Sequence, residues 1–226
     1  NATVVDYVKN NLKSGETVAI VHATTEFGKG GAAQQAAGLK EVGIEPVANI
    51  GHDPEQADYT PIMVELQRKQ PKYILLSDSN PADIAKLLRQ AREIGLTGTW
   101  IGADAAGAIA LAGDDAVGYM TVSPWFPNNE EDPKSVELTK ELVAAGAKDP
   151  GWIAGMAYDA TKGIAEAAKA EGLTAADLMT GMASLSGMEG TAAKSWTFSS
   201  DSRQGLPAAT IANWNGKGYE TVWPKS

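Results

Sequence analysis

The segment that decides the fold is Thr17-Val18-Ala19-Ile20-Val21-His22-Ala23-Thr24-Thr25-Glu26-Phe27-Gly28-Lys29-Gly30. A short β-branched run passes here into a polar loop and then into a helical pattern of small residues. The same order recurs from Lys72 to Pro81 and from Thr99 to Asp104. Strands that alternate with helices predict a parallel sheet. Because the carboxyl ends of parallel strands share one edge, where open α/β sheets bind small molecules, we expect a binding site there.

The composition predicts a soluble globular chain and argues against several classes of function. The 226 residues carry a net charge of −9, and 43% of them are hydrophobic. The 19 Lys and Arg are dispersed, so nucleic-acid binding is not expected. No apolar stretch is long enough to span a bilayer. With no Cys and two His, neither a thiolate site nor a multi-histidine site is expected, and we predict no metal and no cofactor.

The secondary-structure pattern changes after Val122. Strands are expected at Ile44 to Ile50 and at Val117 to Val122, and the polar segment from Ser123 to Asn129 marks a crossover. Three helices are predicted beyond it, opened by Asp132-Pro133, by Asp149-Pro150 and by the capping box Thr174-Ala175-Ala176-Asp177. Strands are expected again at Ser195 to Phe198, Ala208 to Trp214 and Tyr219 to Trp223.

The middle helices carry large apolar residues without a predicted strand to pack on. Four of them fall close together, namely Trp152, Ile153, Met156 and Tyr158. An apolar helix face of this kind needs a partner. We therefore expect these helices to pack on strands that this chain does not contain.

Five motifs, in order, resemble those of one known family. They are Val21-His22-Ala23-Thr24-Thr25-Glu26-Phe27-Gly28-Lys29-Gly30, Leu87-Leu88-Arg89-Gln90-Ala91-Arg92-Glu93-Ile94-Gly95-Leu96, Trp100-Ile101-Gly102-Ala103-Asp104, Ala157-Tyr158-Asp159-Ala160 and Asn215-Gly216-Lys217. The chain resembles the branched-chain amino-acid type of periplasmic solute-binding protein, which serves ABC transporters. The resemblance covers nearly the whole chain.

The resemblance implies the two-lobed type I periplasmic-binding-protein fold, which closes like a hinge around its ligand. Residues 2–122 would form lobe two, a parallel sheet with helices on both faces. Residues 123–192 would be the mainly helical remainder of lobe one, and residues 193–226 the return to lobe two with a terminal hairpin. The family has a substantial leading segment of lobe one before the point that matches Ala2, so half of the cleft would lie outside this chain.

The resemblance also implies the site. An acidic residue at the position of Asp104 would hold the ammonium group of an amino acid, and Phe27, Ser79 and Asn80 would line the wall of lobe two. Thr24, Thr25, Asp78 and Trp125 complete the candidate set. Three of these have a plainer interpretation as well: Asp104 as a helix cap, Asp78 as a turn or cap residue, and Trp125 as core. Phe27 lacks the hydroxyl of the family's aromatic residue, and Ser79 and Asn80 are small, so larger or aromatic solutes become possible alongside branched-chain ones.

The implied partners are a small-molecule solute, an ABC permease, and either the missing leading segment or a second copy of the chain. The implied location is periplasmic or extracellular, without catalysis.

Two other functions remain open. Gly28-Lys29-Gly30-Gly31-Ala32-Ala33 fits the G-x-G-x-x-A pattern of an NAD(P)-binding oxidoreductase, with Asp53 about twenty residues later. However, six residues separate Val21 from Gly28, whereas such glycines normally follow the strand almost at once. The other possibility is the ligand-sensing domain of a regulator or receptor.

Overall fold

The computed structural model describes residues 1–103, 106–129, 131–148, 150–192, 195–197 and 209–224. The chain divides into two compact units. Unit 1 comprises Asn1–Val122 and Thr210–Ser226, and unit 2 comprises Ser123–Ala209. In chain order the elements are α1 (Ala2–Asn11), β1 (Val18–Ala23), α2 (Glu26–Glu41), β2 (Ala48–His52), α3 (Thr60–Lys69), β3 (Tyr73–Ser77), α4 (Pro81–Glu93), β4 (Thr99–Ala103), α5 (Ala106–Ala112), a 3-10 helix (Gly113–Ala116), β5 (Met120–Ser123), α6 (Pro133–Ala144), α7 (Trp152–Glu171), α8 (Ala175–Ser184), β6 (Ser186–Met188), β7 (Trp196–Thr197), β8 (Thr210–Trp214) and β9 (Tyr219–Trp223).

Unit 1 is built on a seven-stranded sheet in the order β2-β1-β3-β4-β5-β8-β9. The pairs from β2 to β5 are all parallel, and β8 and β9 form an antiparallel hairpin. The expectation of a parallel sheet is therefore confirmed. The chain runs from β1 to β2 on one side and then to β3 on the other, so the strand order reverses between β1 and β3. Doubly wound sheets bind ligands in the crevice that this reversal opens at the carboxyl edge.

Both faces of the sheet are buried. Side chains alternate between the faces of a strand, and consecutive residues from Val18 to Val21 all have zero exposure. One face packs with α1 and α2 in a cluster that includes Val8, Ile20, Leu39 and Leu75. On the other face, α4 contributes Ile84, Leu87 and Leu88, which are all buried. A sheet covered on both sides needs continuous apolar strands rather than alternating ones, and the strand sequences of unit 1 have that character.

Unit 2 has its own small core around Trp125. Leu138, Met156, Ala192 and Trp196 pack with it, drawn from α6, from α7 and from the segments near β6 and β7. The β6 and β7 strands form a separate antiparallel pair. The predicted capping box is confirmed, because the Thr174 side chain accepts the Asp177 N–H while the Asp177 carboxylate accepts the Thr174 N–H.

Several predicted element boundaries were wrong. The second strand begins at Ala48 rather than at Ile44. Pro46 has no N–H to offer a ladder, and the Val47 N–H donates instead to the carbonyl of Val18 at 2.8 Å. The fifth strand begins at Met120, because the residues up to Ala116 close a 3-10 helix. The short strand β6 was not predicted, since its three residues include a glycine and carry no apolar run.

Candidate functional site

The loop after β1 presents an aromatic side chain at the carboxyl edge of the sheet. Thr25 caps α2, because its Oγ1 accepts the Gly28 N–H at 3.1 Å. Thr24 Oγ1 donates to Asp53 Oδ1 at 2.8 Å, which ties this loop to the one after β2. Phe27 follows in the first turn of α2, and 56% of its surface is exposed. An exposed phenylalanine held on a capped helix offers a rigid apolar surface to a ligand.

A cavity of about 440 Å³ opens beside Phe27 on the α1 and α2 side of the sheet. Its volume lies within the range of small-molecule sites. Gln35 of α2 lies in its wall with 4% exposure, and its Oε1 has no hydrogen-bond partner among the described residues. The wall also includes Asn1, Val4, Phe27, Gly31, Ser77, Ala103 and Val122.

Two neighbouring residues at the end of β3 serve different faces of the sheet. Ser77 lies in the cavity wall, so close to α2 that a Cβ on Gly31 would be 2.0 Å from its Oγ. Asp78 is 2% exposed and turns to the opposite side, where Asp78 Oδ2 lies 3.1 Å from His52 Nε2. Its other oxygen, Oδ1, accepts the Asn80 N–H at 2.8 Å, which makes Asp78 a turn residue as well.

Ser79 is exposed, and Asn80 caps α4 by accepting the Ala82 N–H at 3.0 Å. Among the predicted contacts, the cavity therefore includes Phe27 directly, while Thr24, Thr25, Ser79 and Asn80 lie in the loops at the same edge.

A second group of polar residues is buried on the α3 and α4 side of the edge. His52 ends β2, Asp78 follows β3, and Asp83 lies in the first turn of α4, and their ligating atoms are all within 4.8 Å of one another. Burial lowers the pKa of His52, but the contact with Asp78, the carbonyl of Asp53 and the charge of Asp83 outweigh it, so the pKa is raised. Burial and the neighbouring Asp83 carboxylate raise the pKa of Tyr59, whose ring packs edge-on against His52 at 5.2 Å.

Two predicted contacts remain. Asp104 lies outside the described residues, directly after β4, whose last residue Ala103 is in the cavity wall. Trp125 is 3% exposed within the core of unit 2. A Cβ on Gly155 would be 2.6 Å from its ring, so α7 approaches this ring closely. That packing favours the interpretation of Trp125 as core, and its role in a ligand site remains a prediction.

The glycine-rich pattern does not form a dinucleotide-binding turn. Gly28 and Gly30 lie within α2, which begins at Glu26, and not in the turn that precedes it. An acidic residue at the helix start also opposes a phosphate group there. Asp53, the expected ribose contact, is engaged with Thr24.

Sequence reasoning missed Gln35, Ser77 and the group around His52. Gln35 lies among the small residues of α2 in the sequence. A polar residue on the buried face of a helix can nevertheless indicate a site. His52 gives no local signal, because its partners Asp78 and Asp83 lie more than 25 residues away in the chain.

A parallel sheet with a concave site of mixed polarity at the carboxyl edge of its strands is typical of α/β proteins that bind small molecules. The chain belongs to the periplasmic binding protein family, whose sequence model matches residues 1–219. The leucine-, isoleucine-, valine-, threonine- and alanine-binding protein of Pseudomonas aeruginosa is 26% identical over 163 residues, covering 69% of this chain and 43% of that protein. The leucine-specific-binding protein of Salmonella typhimurium is 27% identical over 172 residues, covering 73% of this chain and 44% of that protein.

Solved structures agree on the fold. A branched-chain amino acid ABC transporter protein from Thermus thermophilus with bound valine superposes with a TM-score of 0.80 at 19% identity, covering 98% of this chain and 63% of that one. A branched-chain amino acid transporter substrate-binding protein from Streptococcus pneumoniae in complex with isoleucine superposes with a TM-score of 0.78 at 19% identity, covering 98% of this chain and 64% of that one. The predicted type I fold is confirmed. The chain spans less than half the length of the Pseudomonas aeruginosa and Salmonella typhimurium binding proteins. Within the part of the chain that the structure describes, no helix is both long and apolar enough to cross a membrane.

Proposed function

We propose that the chain is part of the solute-binding component of an ABC importer and binds an amino acid or a related small organic solute. The observation that carries this proposal is the cavity at the carboxyl ends of β3 and β4, with the exposed Phe27 side chain beside it. This is where an open α/β sheet places a ligand. Relatives that bear the names of amino-acid-binding proteins support the chemical class of the solute.

The site residues divide the recognition of such a solute between them. Phe27 offers an apolar face for the solute side chain, and the buried Gln35 Oε1 offers an acceptor that has no other hydrogen-bond partner among the described residues. Asp104, which follows Ala103 in the sequence, would hold the ammonium group. A carboxylate in a partly dry cleft makes a charge-assisted hydrogen bond to a cation, which contributes about 1.5–3 kcal/mol.

One wall is insufficient for tight binding. A micromolar dissociation constant requires about 8 kcal/mol, which exceeds what a few contacts on a single surface supply. We therefore propose that a second wall comes from sequence that the relatives have and this chain does not span, and that the two lobes close around the solute by a hinge. The residues of unit 1 would form one lobe, and those of unit 2 the remainder of the other.

The same proposal gives the protein a transport role without catalysis. It would act in the periplasm or outside the cell, and would deliver its solute to an ABC permease. The names of the relatives, as binding proteins rather than enzymes, support this assignment. The oxidoreductase alternative has no comparable support, because the glycines of its motif lie inside α2.

Calorimetric titration and thermal shift against a panel of aliphatic and aromatic amino acids test the proposal, with NADH as the competing ligand. We expect stabilisation by at least one amino acid, and Asp104→Asn should abolish it. Asp115→Asn is the matched control, because Asp115 makes a partly exposed pair with Arg89 at 3.6 Å, and such a pair contributes little. Stabilisation by NADH with no response to any amino acid would show that the proposal is wrong.

A further inference from the structure

The buried group of His52, Asp78 and Asp83 has the donor atoms of a metal site. All three side chains are at most 2% exposed. His52 Nε2 and Asp78 Oδ2 are buried and face each other at 3.1 Å, with no other partner among the described residues. Asp83 Oδ1 is buried as well, and the buried hydroxyl of Tyr59 lies beside the Asp83 carboxylate. Buried polar atoms are normally satisfied, so two carboxylates and an imidazole packed this closely require an explanation.

The second polar atom of each side chain is held by the backbone. His52 Nδ1 lies 3.2 Å from the carbonyl oxygen of Asp53, where it can only donate, so Nε2 can be left as an acceptor. Asp78 Oδ1 accepts the Asn80 N–H at 2.8 Å, and Asp83 Oδ2 accepts the Glu55 N–H at 2.9 Å. Metal ligands in proteins are oriented in this way, with one atom fixed by an outer hydrogen bond and the other directed at the ion.

The charges of these buried side chains also favour a bound cation. Among the described residues, no lysine or arginine forms an ion pair with Asp78 or Asp83, and His52 lies against Asp78. Two carboxylates share this buried space, and His52 can offset at most one of their charges, so a negative charge stays uncompensated, which is costly in a dry interior. A divalent cation would neutralise both carboxylates and satisfy all three donor atoms at once.

We propose that His52, Asp78 and Asp83 bind a divalent first-row transition-metal ion, for which Zn²⁺ is the probe. Imidazole and carboxylate together suit such ions better than Mg²⁺ or Ca²⁺, which prefer oxygen alone. The 3.1 Å between His52 Nε2 and Asp78 Oδ2 matches two ligands about 2.1 Å from one ion. A carboxylate oxygen of Asp83 lies within 4.8 Å of both and needs a shift of roughly 1 Å to join them.

The ion would fasten two loops at the carboxyl edge of the sheet. Asp78 opens the loop that contains Ser79 and Asn80, and the loop from Asp53 to Asp58 directly follows His52. Within the loop after His52, Glu55 adopts a left-handed backbone conformation, with φ of 61°, and its N–H donates to Asp83. This site is separate from the solute cavity, which lies on the other face of the sheet, and it does not depend on the proposed function.

Equilibrium dialysis of the tag-free chain against ZnCl₂, after removal of metal with a chelator, tests the site. We expect one Zn²⁺ per folded chain, and a Co²⁺-loaded sample should show the visible absorption of a low-symmetry site. His52→Gln and Asp78→Asn should each weaken Zn²⁺ binding by more than about tenfold. His22→Gln is the matched control, because the ring of His22 contacts the carbonyl of Ala23 on the neighbouring residue and should leave the affinity unchanged.

Circular dichroism shows whether each variant is folded, and the Co²⁺ spectrum of the unaltered chain tests the site even if a variant is not. No saturable Zn²⁺ binding by the folded chain would overturn the proposal and leave an ion pair between His52 and Asp78 alone. Unchanged affinity in folded His52→Gln, or a preference for Ca²⁺ over Zn²⁺, would overturn it equally. None of these readouts involves an amino-acid solute, so they are independent of the transport proposal.

Discussion

At the scale of single residues, the end of β3 separates two polar groups that are adjacent in the chain. Ser77 faces the cavity beside α2, whereas Asp78 faces His52 on the other side of the sheet. Strand alternation imposes this division, because successive side chains leave opposite faces. One loop therefore contributes both to the proposed solute wall and to the proposed metal site.

Phe27→Ala should separate solute binding from stability. Because 56% of the ring is exposed, its removal should change the free energy of unfolding by less than about 0.5 kcal/mol. Solute affinity should fall by about 1 kcal/mol, roughly fivefold, because the ring is buried when solute binds. Val64→Ala is the control in calorimetric titration, since Val64 is equally exposed at 56% but lies on α3. An equal loss in both variants would remove Phe27 from the site.

At the scale of secondary-structure elements, close approaches decide how helices pack. In unit 2, α7 lies against Trp125 where Gly155 has no side chain. In unit 1, α2 meets Ser77 at Gly31 in the same manner. Packed interiors have little free volume, so a single methyl group at such a point forces the neighbour to move.

Gly155→Ala should destabilise unit 2 by about 1–3 kcal/mol, because the new Cβ would be 2.6 Å from the Trp125 ring. Denaturant unfolding followed by tryptophan fluorescence measures the change. Gly30→Ala is the control, since the space around Gly30 is open and alanine favours a helix by about 0.5–1 kcal/mol. Wild-type stability of Gly155→Ala would mean that α7 is not packed on Trp125 as described.

Thr174→Ala should weaken α8 by about 1 kcal/mol, because it removes the acceptor of the Asp177 N–H from the capping box. Amide hydrogen exchange over the first turn of α8 reports the effect without requiring two-state unfolding. Thr180→Ala serves as the comparison, since the Thr180 hydroxyl donates to the Ala176 carbonyl within the same helix and caps nothing. Equal protection in both variants would refute the importance of the box.

At the scale of the whole molecule, unit 2 exposes apolar residues along one side of α7. Ile153 is 67% exposed and Ile164 is 50% exposed, and their spacing of three helical turns places them on the same face. Met156 on the same helix is buried in the core of unit 2. We propose that the part of the family fold that this chain does not span covers the exposed side.

The chain alone should then bind a hydrophobic dye or self-associate, and Ile153→Ser with Ile164→Ser should reduce both effects. Light scattering gives the mass, and dye fluorescence reports the exposed apolar surface. Val64→Ser in unit 1 controls for the loss of any single exposed apolar residue. A strictly monomeric mass together with an absence of dye binding would contradict the proposal.

The sequence by itself determined the order of elements, the parallel sheet and the edge where its loops meet, because these follow from local periodicity and from residues such as Asn80 and Thr174 that cap helices. It placed the strand Tyr219–Trp223 correctly. It did not determine the strand start at Ala48, which depends on a hydrogen bond between Val47 and Val18.

Only the tertiary structure decided which side chains share a space. Gln35 and Ser77 meet in one cavity wall, and His52, Asp78 and Asp83 meet on the other face, although they come from separate strands and helices. These contacts between side chains depend on the register of the strands and on the face that each helix packs against the sheet. Both are set by the burial of the whole core, and the pattern of ten or twenty consecutive residues does not predict them.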